Sequence, residues 1–396
     1  MSSSPDHFSL RAIALPAFGP SLLFGFGEGA IFPILALSAR DLGASSAAAG
    51  FIVALVGVGS LLANLPAAAL ATRYGERRAM VGAALFSLLG LALCLLARSP
   101  WLLGMGVFMV GLASAVFLLA RQTYLVEAVP LHMRARAMST LGGTMRIGMF
   151  AGPFASAGVI HLTGLSGAYW VSALAMLGAG LVSLSVPDLV PKASADKAAI
   201  PKISMLSMAR MHAPVLLTLG IGTALVAALR ACRQIVIPLW ADHIGLDPAT
   251  TATIYGLMGA VDMLLFYPAG RVMDLYGRLW VALPCMLIMS CCMMAIPLTG
   301  GWISLLLVCM ILGIGNGIGS GIVMTIGADA SPAAGRTVFL GIWRQITDIG
   351  GSGGPLLISG LTAAASLATG IATVGSLGLL AAWIFWRWLP RGRPRA

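Results

Sequence analysis

Apolar stretches of about 20 residues recur from one end of this 396-residue chain to the other, each long enough to cross a bilayer as a helix. Twelve can be placed, near residues 13–38, 47–71, 79–97, 101–126, 137–162, 167–186, 213–240, 249–272, 280–298, 302–327, 337–363 and 367–389. The pattern predicts an all-α membrane protein, because a helix satisfies its own backbone hydrogen bonds in lipid. Composition agrees: 9% of residues are charged, against roughly 25% in a soluble domain. Residues 1–10, MSSSPDHFSL, are polar, and the run after them is too long for a signal-peptide core, so no cleavable signal is expected.

A formal charge of +11 suggests nucleic acid until the positions are read. Of 24 Lys and Arg, 17 fall at one set of helix ends, only Arg40 and Arg98 fall at the opposite ends, and five lie inside apolar runs. The positive-inside rule then places both termini and the central loop in the cytoplasm. The expected location is the cytoplasmic membrane of a bacterium, with the lipid bilayer and no nucleic acid as partner. All six cysteines lie in apolar helices without metal-type or disulfide-type spacing. With no phosphate loop, nucleophile elbow or zinc motif, the chain does not read as an enzyme, and neither cofactor nor metal is expected.

Sliding the sequence over itself by 202 residues superposes punctuating residues without a gap. Gly43 meets Gly245, Pro66 meets Pro268, and Gly75 meets Gly277. Glu127, Pro130 and Arg134 meet Asp329, Pro332 and Arg336. Gly148, Gly152 and Pro153 meet Gly350, Gly354 and Pro355. Glycines coincide by chance in a chain with 49 of them, but three prolines, an acid and an arginine rarely share one register. The chain therefore reads as a six-helix unit used twice: residues 1–186, a polar, proline-punctuated cytoplasmic linker at 187–212, and residues 213–396. Repeats of this kind are a transporter architecture, with substrate held near the midplane.

The second half carries GRVMDLYGR at 270–278, which resembles the Gly-x-x-x-Asp-x-x-Gly-Arg signature of the major facilitator superfamily. Gly270, Asp274, Gly277 and Arg278 hold its positions. The first half has AALATRYGERR at 68–78, which keeps Arg73 and Gly75 but has Ala68 and Thr72 for the glycine and aspartate. GMFAGP (148–153) and GGSGGP (350–355) resemble the fifth-helix motif of the family's drug:proton antiporters. The family's fourth-helix arginine falls at Val107. The resemblance covers essentially the whole chain and implies twelve helices in two pseudo-symmetric bundles, alternating access, and a gating role for the loop of Asp274. From the residues themselves, Gly148 and Gly152 share one helix face and admit a close neighbour; Gly350 and Gly354 repeat the device.

Eight ionisable residues sit inside helices: Glu28, Arg121, Arg146, Arg230, Arg233, Asp262, Arg344 and Asp348. Each costs roughly 2.5–3.5 kcal/mol to insert and needs a partner or water. Under the repeat, Glu28 is equivalent to Arg230 and Arg146 to Asp348, so positions persist while signs reverse. In the fold the resemblance implies, matched depths suggest two pairs between the halves, Glu28–Arg230 and Arg146–Asp262. Arg344 and Asp348, four apart, pair along one helix. These pairs are either proton-linked switches or static staples, since buried pairs often add little net stability. Arg233 and Gln234 extend the Arg230 face, while Asn64 and Asn316 read as interhelical hydrogen-bonders or cavity residues. Arg121 is expected to snorkel to headgroups, and Trp240, Trp302 and Trp383 to face lipid or its interface.

The expectation is a secondary transporter, monomeric, that moves a small organic solute, with proton-coupled efflux as the first reading. An uptake symporter or exchanger for an organic anion is the alternative, favoured by the excess of intramembrane arginines. A non-transporting scaffold or sensor is the remote third.

Overall fold

The computed structural model describes residues 14–129, 134–187, 205–332 and 335–390. Every regular element among them is helical. The first half supplies α1 (Ala14–Asp41), α2 (Ser46–Tyr74), α3 (Glu76–Leu95), α4 (Pro100–Ala128), α5 (Arg134–Thr163) and α6 (Ser166–Leu184). A short α7 (Met205–Met211) precedes α8, the span Ala213–His243. Then come α9 (Pro248–Tyr276), α10 (Leu279–Ala295), α11 (the span Trp302–Ala330), α12 (Arg336–Ala364) and α13 (Leu367–Trp388). Nine spans among the described residues are long and apolar enough to cross a membrane. The remaining long helices, α5, α9 and α12, are the ones that carry Arg146, Asp262, Arg344 and Asp348.

Helix ends follow local chemistry. The Ser99 hydroxyl accepts from the Leu102 amide and Pro100 opens α4, while Asp247 accepts from the amides of Ala249 and Thr250 with Pro248 opening α9. Both use an N-terminal cap followed by proline, whose missing N–H costs nothing there. Gly75 and Gly277, with φ of 83° and 99°, terminate α2 and α9 in a conformation that L side chains rarely adopt. α11 is broken inside its span: one segment ends at Ile318, Gly321 has φ 82°, and helix resumes at Ile322.

The described residues fall into two compact units, one within Met1–Phe32 and Val58–Lys192, the other within Pro33–Gly57 and Ala193–Ala396. The α1–α2 corner, Pro33–Gly57, belongs to the second of these units. Arg40 Nε donates to Asp242 Oδ2 at 3.1 Å, and the Ser359 hydroxyl donates to the Ala47 carbonyl.

Within each unit the glycine motif performs the same packing. A methyl group at Gly148 would meet the Leu22 carbonyl of α1, and one at Gly152 the Phe26 carbonyl. In the second unit Gly350 abuts the Ala224 carbonyl and Gly354 that of Ala228 on α8. Leu22 and Ala224, like Phe26 and Ala228, are 202 apart, so the sequence repeat is also a packing repeat. Backbones this close are how helices associate where lipid removes the hydrophobic drive. Pro153 and Pro355 follow the motif inside continuous helices. Pro153 cannot donate to the Met149 carbonyl, the atom that packs on Gly29 of α1.

Candidate functional site

In the first unit the site starts from Glu28, buried on α1 at 4% exposure. The Ser114 hydroxyl of α4 donates to Glu28 Oε1 at 2.6 Å. One turn away the Phe24 and Phe117 rings stack at 4.1 Å, which fixes the register between the two helices. Ser114, Phe117 and Arg121 follow at helical spacing on one face of α4. Arg121 corrects the sequence expectation: it does not snorkel. Its Nε and Nη1 are buried without a hydrogen-bond partner among the described residues, and its charge acts on Glu28. Composition around residue 121 resembles any helix end; only the packing of α4 turns the side chain inward.

The second unit builds a different group. Asn316 Nδ2 of α11 donates to Asp262 Oδ2 of α9, and Arg233 Nη2 of α8 stands 3.6 Å from the same oxygen. Sequence reading assigned Arg146 to Asp262, yet within its own unit Asp262 is supplied with a guanidinium from α8. Arg230 Nη2 donates to the Gly319 carbonyl at 2.6 Å. That carbonyl lies at the break in α11, where interrupted helix leaves backbone acceptors open. Among the described residues, Arg230 Nε, Arg233 Nε and Nη1, and Asn316 Oδ1 are buried without partners. Arg233 thus stands against the carboxylate and Arg230 against a backbone carbonyl, with guanidinium donors left over among the described residues.

Arg344 and Asp348 form the anticipated pair along α12, at 3.7 Å, with Arg344 54% exposed. Gln234 is half-buried beside Arg233 and is not among the groups bonded to Asp262. Asn64 on α2 is half-buried and Arg146 on α5 is exposed, and both are partnered. Trp302 and Trp383 are exposed as expected, whereas Trp240 is buried and its indole donates to Thr299, which corrects the lipid-facing expectation.

At the signature loop, Arg278 Nε donates to Asp329 Oδ2 at 2.8 Å and Nη1 to the Met273 carbonyl at 2.8 Å. The motif arginine therefore ties the α9–α10 loop to the end of α11. The Asp274 side chain lies outside the described residues. A Cβ on Gly270 would meet nothing within 4 Å, and Arg73 lies 5.4 Å from the Tyr74 ring centroid. Sequence reading missed the Arg40–Asp242 bridge. Its signal was present, since the two residues stand at the repeat offset with opposite sign.

Repeated helical units, nine apolar spans among the described residues and ionisable groups along the helices define a polytopic helical membrane protein. The Major Facilitator Superfamily profile matches residues 18–355 and again 219–396, and the chain belongs to that family. "Multidrug resistance protein MdtG" of Enterobacter lignolyticus (strain SCF1) is 30% identical over 169 residues, 42% of this chain and 40% of that protein. "Inner membrane transport protein YnfM" of Escherichia coli (strain K12) is 23% identical over 208 residues, 52% of this chain and 50% of that protein. The chain thus spans about half the length, or less, of these curated relatives. A POT family transporter in complex with a thioalcohol-conjugated peptide superposes with a TM-score of 0.78 at 12% identity, over 96% of both chains. The inward-open xylose transporter XylE from E. coli superposes with a TM-score of 0.72 at 16% identity, over 98% of both. These neighbours share the fold.

Proposed function

We propose that this transporter exports a small organic solute in exchange for protons, by alternating access, from a bacterial cytoplasmic membrane with both termini inside. Glu28 carries the reading. It is a buried carboxylate with one hydroxyl donor, near a guanidinium whose Nε and Nη1 have no partner among the described residues. Such a group exchanges a proton whenever its surroundings change. The multidrug-resistance name of the MdtG relative supports export over uptake. In this reading Asp262 and Asp348 are secondary proton sites, Arg146 and Arg344 tune them, and the loop of Asp274 and Arg278 gates the cytoplasmic side. The monomer is the working unit.

The test is pH-gradient-driven uptake of a lipophilic cation into inverted vesicles. Glu28→Gln should abolish gradient-driven accumulation and leave solute exchange without a gradient intact. Gradient-driven accumulation by that variant would move the proton site to Asp262 or Asp348. A second reading, uptake or exchange of an organic anion, is favoured by the unused donors of Arg230 and Arg233. Stimulation by a carboxylate solute, lost in Arg230→Gln, would select it.

A further inference from the structure

Away from both charged groups, the first unit holds a groove between α2, α3 and α4 that encloses about 520 Å³. On α2 it is lined by Ala63, Pro66, Leu70 and Tyr74, positions that share one helix face. Facing them on α3 are Arg78, Gly82 and Phe86. Leu70 and Phe86 are 39% and 38% exposed, so the groove opens sideways, where a spanning helix meets lipid. A Cβ on Gly82 would meet nothing within 4 Å among the described residues. From Ala63 to Tyr74 the helix rises about 16 Å, close to half of a hydrocarbon core about 30 Å thick.

The polar groups are gathered at one end. Tyr74 and Arg78 close the groove, Arg78 is exposed, and Arg73 stands beside Tyr74. This is the arginine-rich end that the positive-inside rule assigns to the cytoplasm. We propose that the groove is a binding site for one acyl chain of an anionic phospholipid of the inner leaflet, with its phosphate at Arg78. The length matches one leaflet, the walls match a hydrocarbon chain, and the charge complements an acidic headgroup. The proposal rests on the membrane fold alone and not on proton-coupled efflux.

Full-length protein stripped of native lipid is titrated with phosphatidylglycerol or phosphatidylcholine, and bound lipid is counted by native mass spectrometry. One equivalent of phosphatidylglycerol should bind in preference to phosphatidylcholine. Arg78→Gln should lower that preference about fivefold, the weight of one basic residue at an anionic surface, and leave phosphatidylcholine binding unchanged. Gly82→Phe should remove the equivalent of both lipids; Gly82→Leu, with less bulk, serves if phenylalanine disturbs folding. Equal binding of the two lipids by the wild type, or unchanged binding after Gly82 is filled, overturns the proposal. So does displacement of phosphatidylglycerol by a lipophilic cation, which would make the groove a solute site. Transport is not part of the readout, so a failed efflux test leaves this result standing.

Discussion

Positions 28 and 230 are equivalent under the 202-residue repeat, and each reaches the fourth membrane helix of its own unit. Glu28 receives a hydroxyl proton from Ser114; Arg230 gives an N–H to the Gly319 carbonyl. Their surroundings changed with the sign. Where the first unit has a continuous α4 and the Phe24–Phe117 stack, the second has Gly319 at a helix break. Ser114 and Asn316 are likewise equivalent, and each donates to a carboxylate, but the carboxylates come from different helices, Glu28 of α1 and Asp262 of α9. The repeat thus preserved where polar chemistry is allowed and left open which charge performs it. One unit ended with a buried acid bonded to a hydroxyl, the other with an arginine–carboxylate pair and a second arginine on a backbone carbonyl.

The largest expected effect falls on the second group. Asp262→Leu leaves Arg233 without its carboxylate, a loss of about 3–5 kcal/mol when a buried pair is broken from one side. Adding Arg233→Met should restore part of the melting temperature, because neither charge is then orphaned. Strictly additive losses in detergent melting curves would mean that the 3.6 Å approach carries no coupling.

Packing should be symmetric where charge is not. Gly148→Ala and Gly350→Ala each push a methyl group into a carbonyl of the neighbouring helix, and overpacking of this kind costs about 1–3 kcal/mol. The two variants should melt within error of each other. A large difference would show that the two units tolerate strain unequally despite the shared motif.

The equivalent caps Ser45 and Asp247 sharpen the contrast through pH. Ser45 accepts from the Ala48 amide and cannot titrate, whereas Asp247 can. Burial raises the Asp247 pKa, but hydrogen bonds from Thr250 and Ala249 outweigh it and hold the group below the usual carboxylate value. A depressed carboxylate stabilises above its unfolded pKa, near 4, and the stability is lost as pH falls through the lower folded value. Amide exchange at the start of α9 should therefore quicken below about pH 4, with no such change at the start of α2. Asp247→Asn should flatten that dependence.

The smallest effect concerns Arg40 and Asp242, whose side chains are 39% and 36% exposed. A surface pair of this kind contributes about 0–1 kcal/mol. Asp242→Asn should barely move the melting temperature, and any shift should vanish in high salt. A clear, salt-resistant loss would make the bridge a structural clamp on the α1–α2 corner.

Much of the fold was legible in the chain because lipid imposes one-dimensional rules. Spans must be apolar and about 20 residues long, cationic ends sort to one side, and small residues mark close helix contacts. Gly148 and Gly350 could be read as packing positions before any coordinates, and so could the i,i+4 pair Arg344–Asp348. Arg121, Trp240 and the partner of Asp262 could not. Apolar residues surround each of these side chains in sequence, so local hydropathy does not report which neighbour each one meets.

The sequence by itself determined a polytopic helical membrane protein, its internal repeat, its glycine contacts and the positions where charge enters the membrane. Only the tertiary structure decided which carboxylate meets which guanidinium, that Arg121 turns toward Glu28, and that the break at Gly319 offers Arg230 a carbonyl. The reason is geometric. Successive residues on a helix differ by about 100° in direction, so a one-residue change in rotation sends a charge to another neighbour while hydropathy and spacing stay the same.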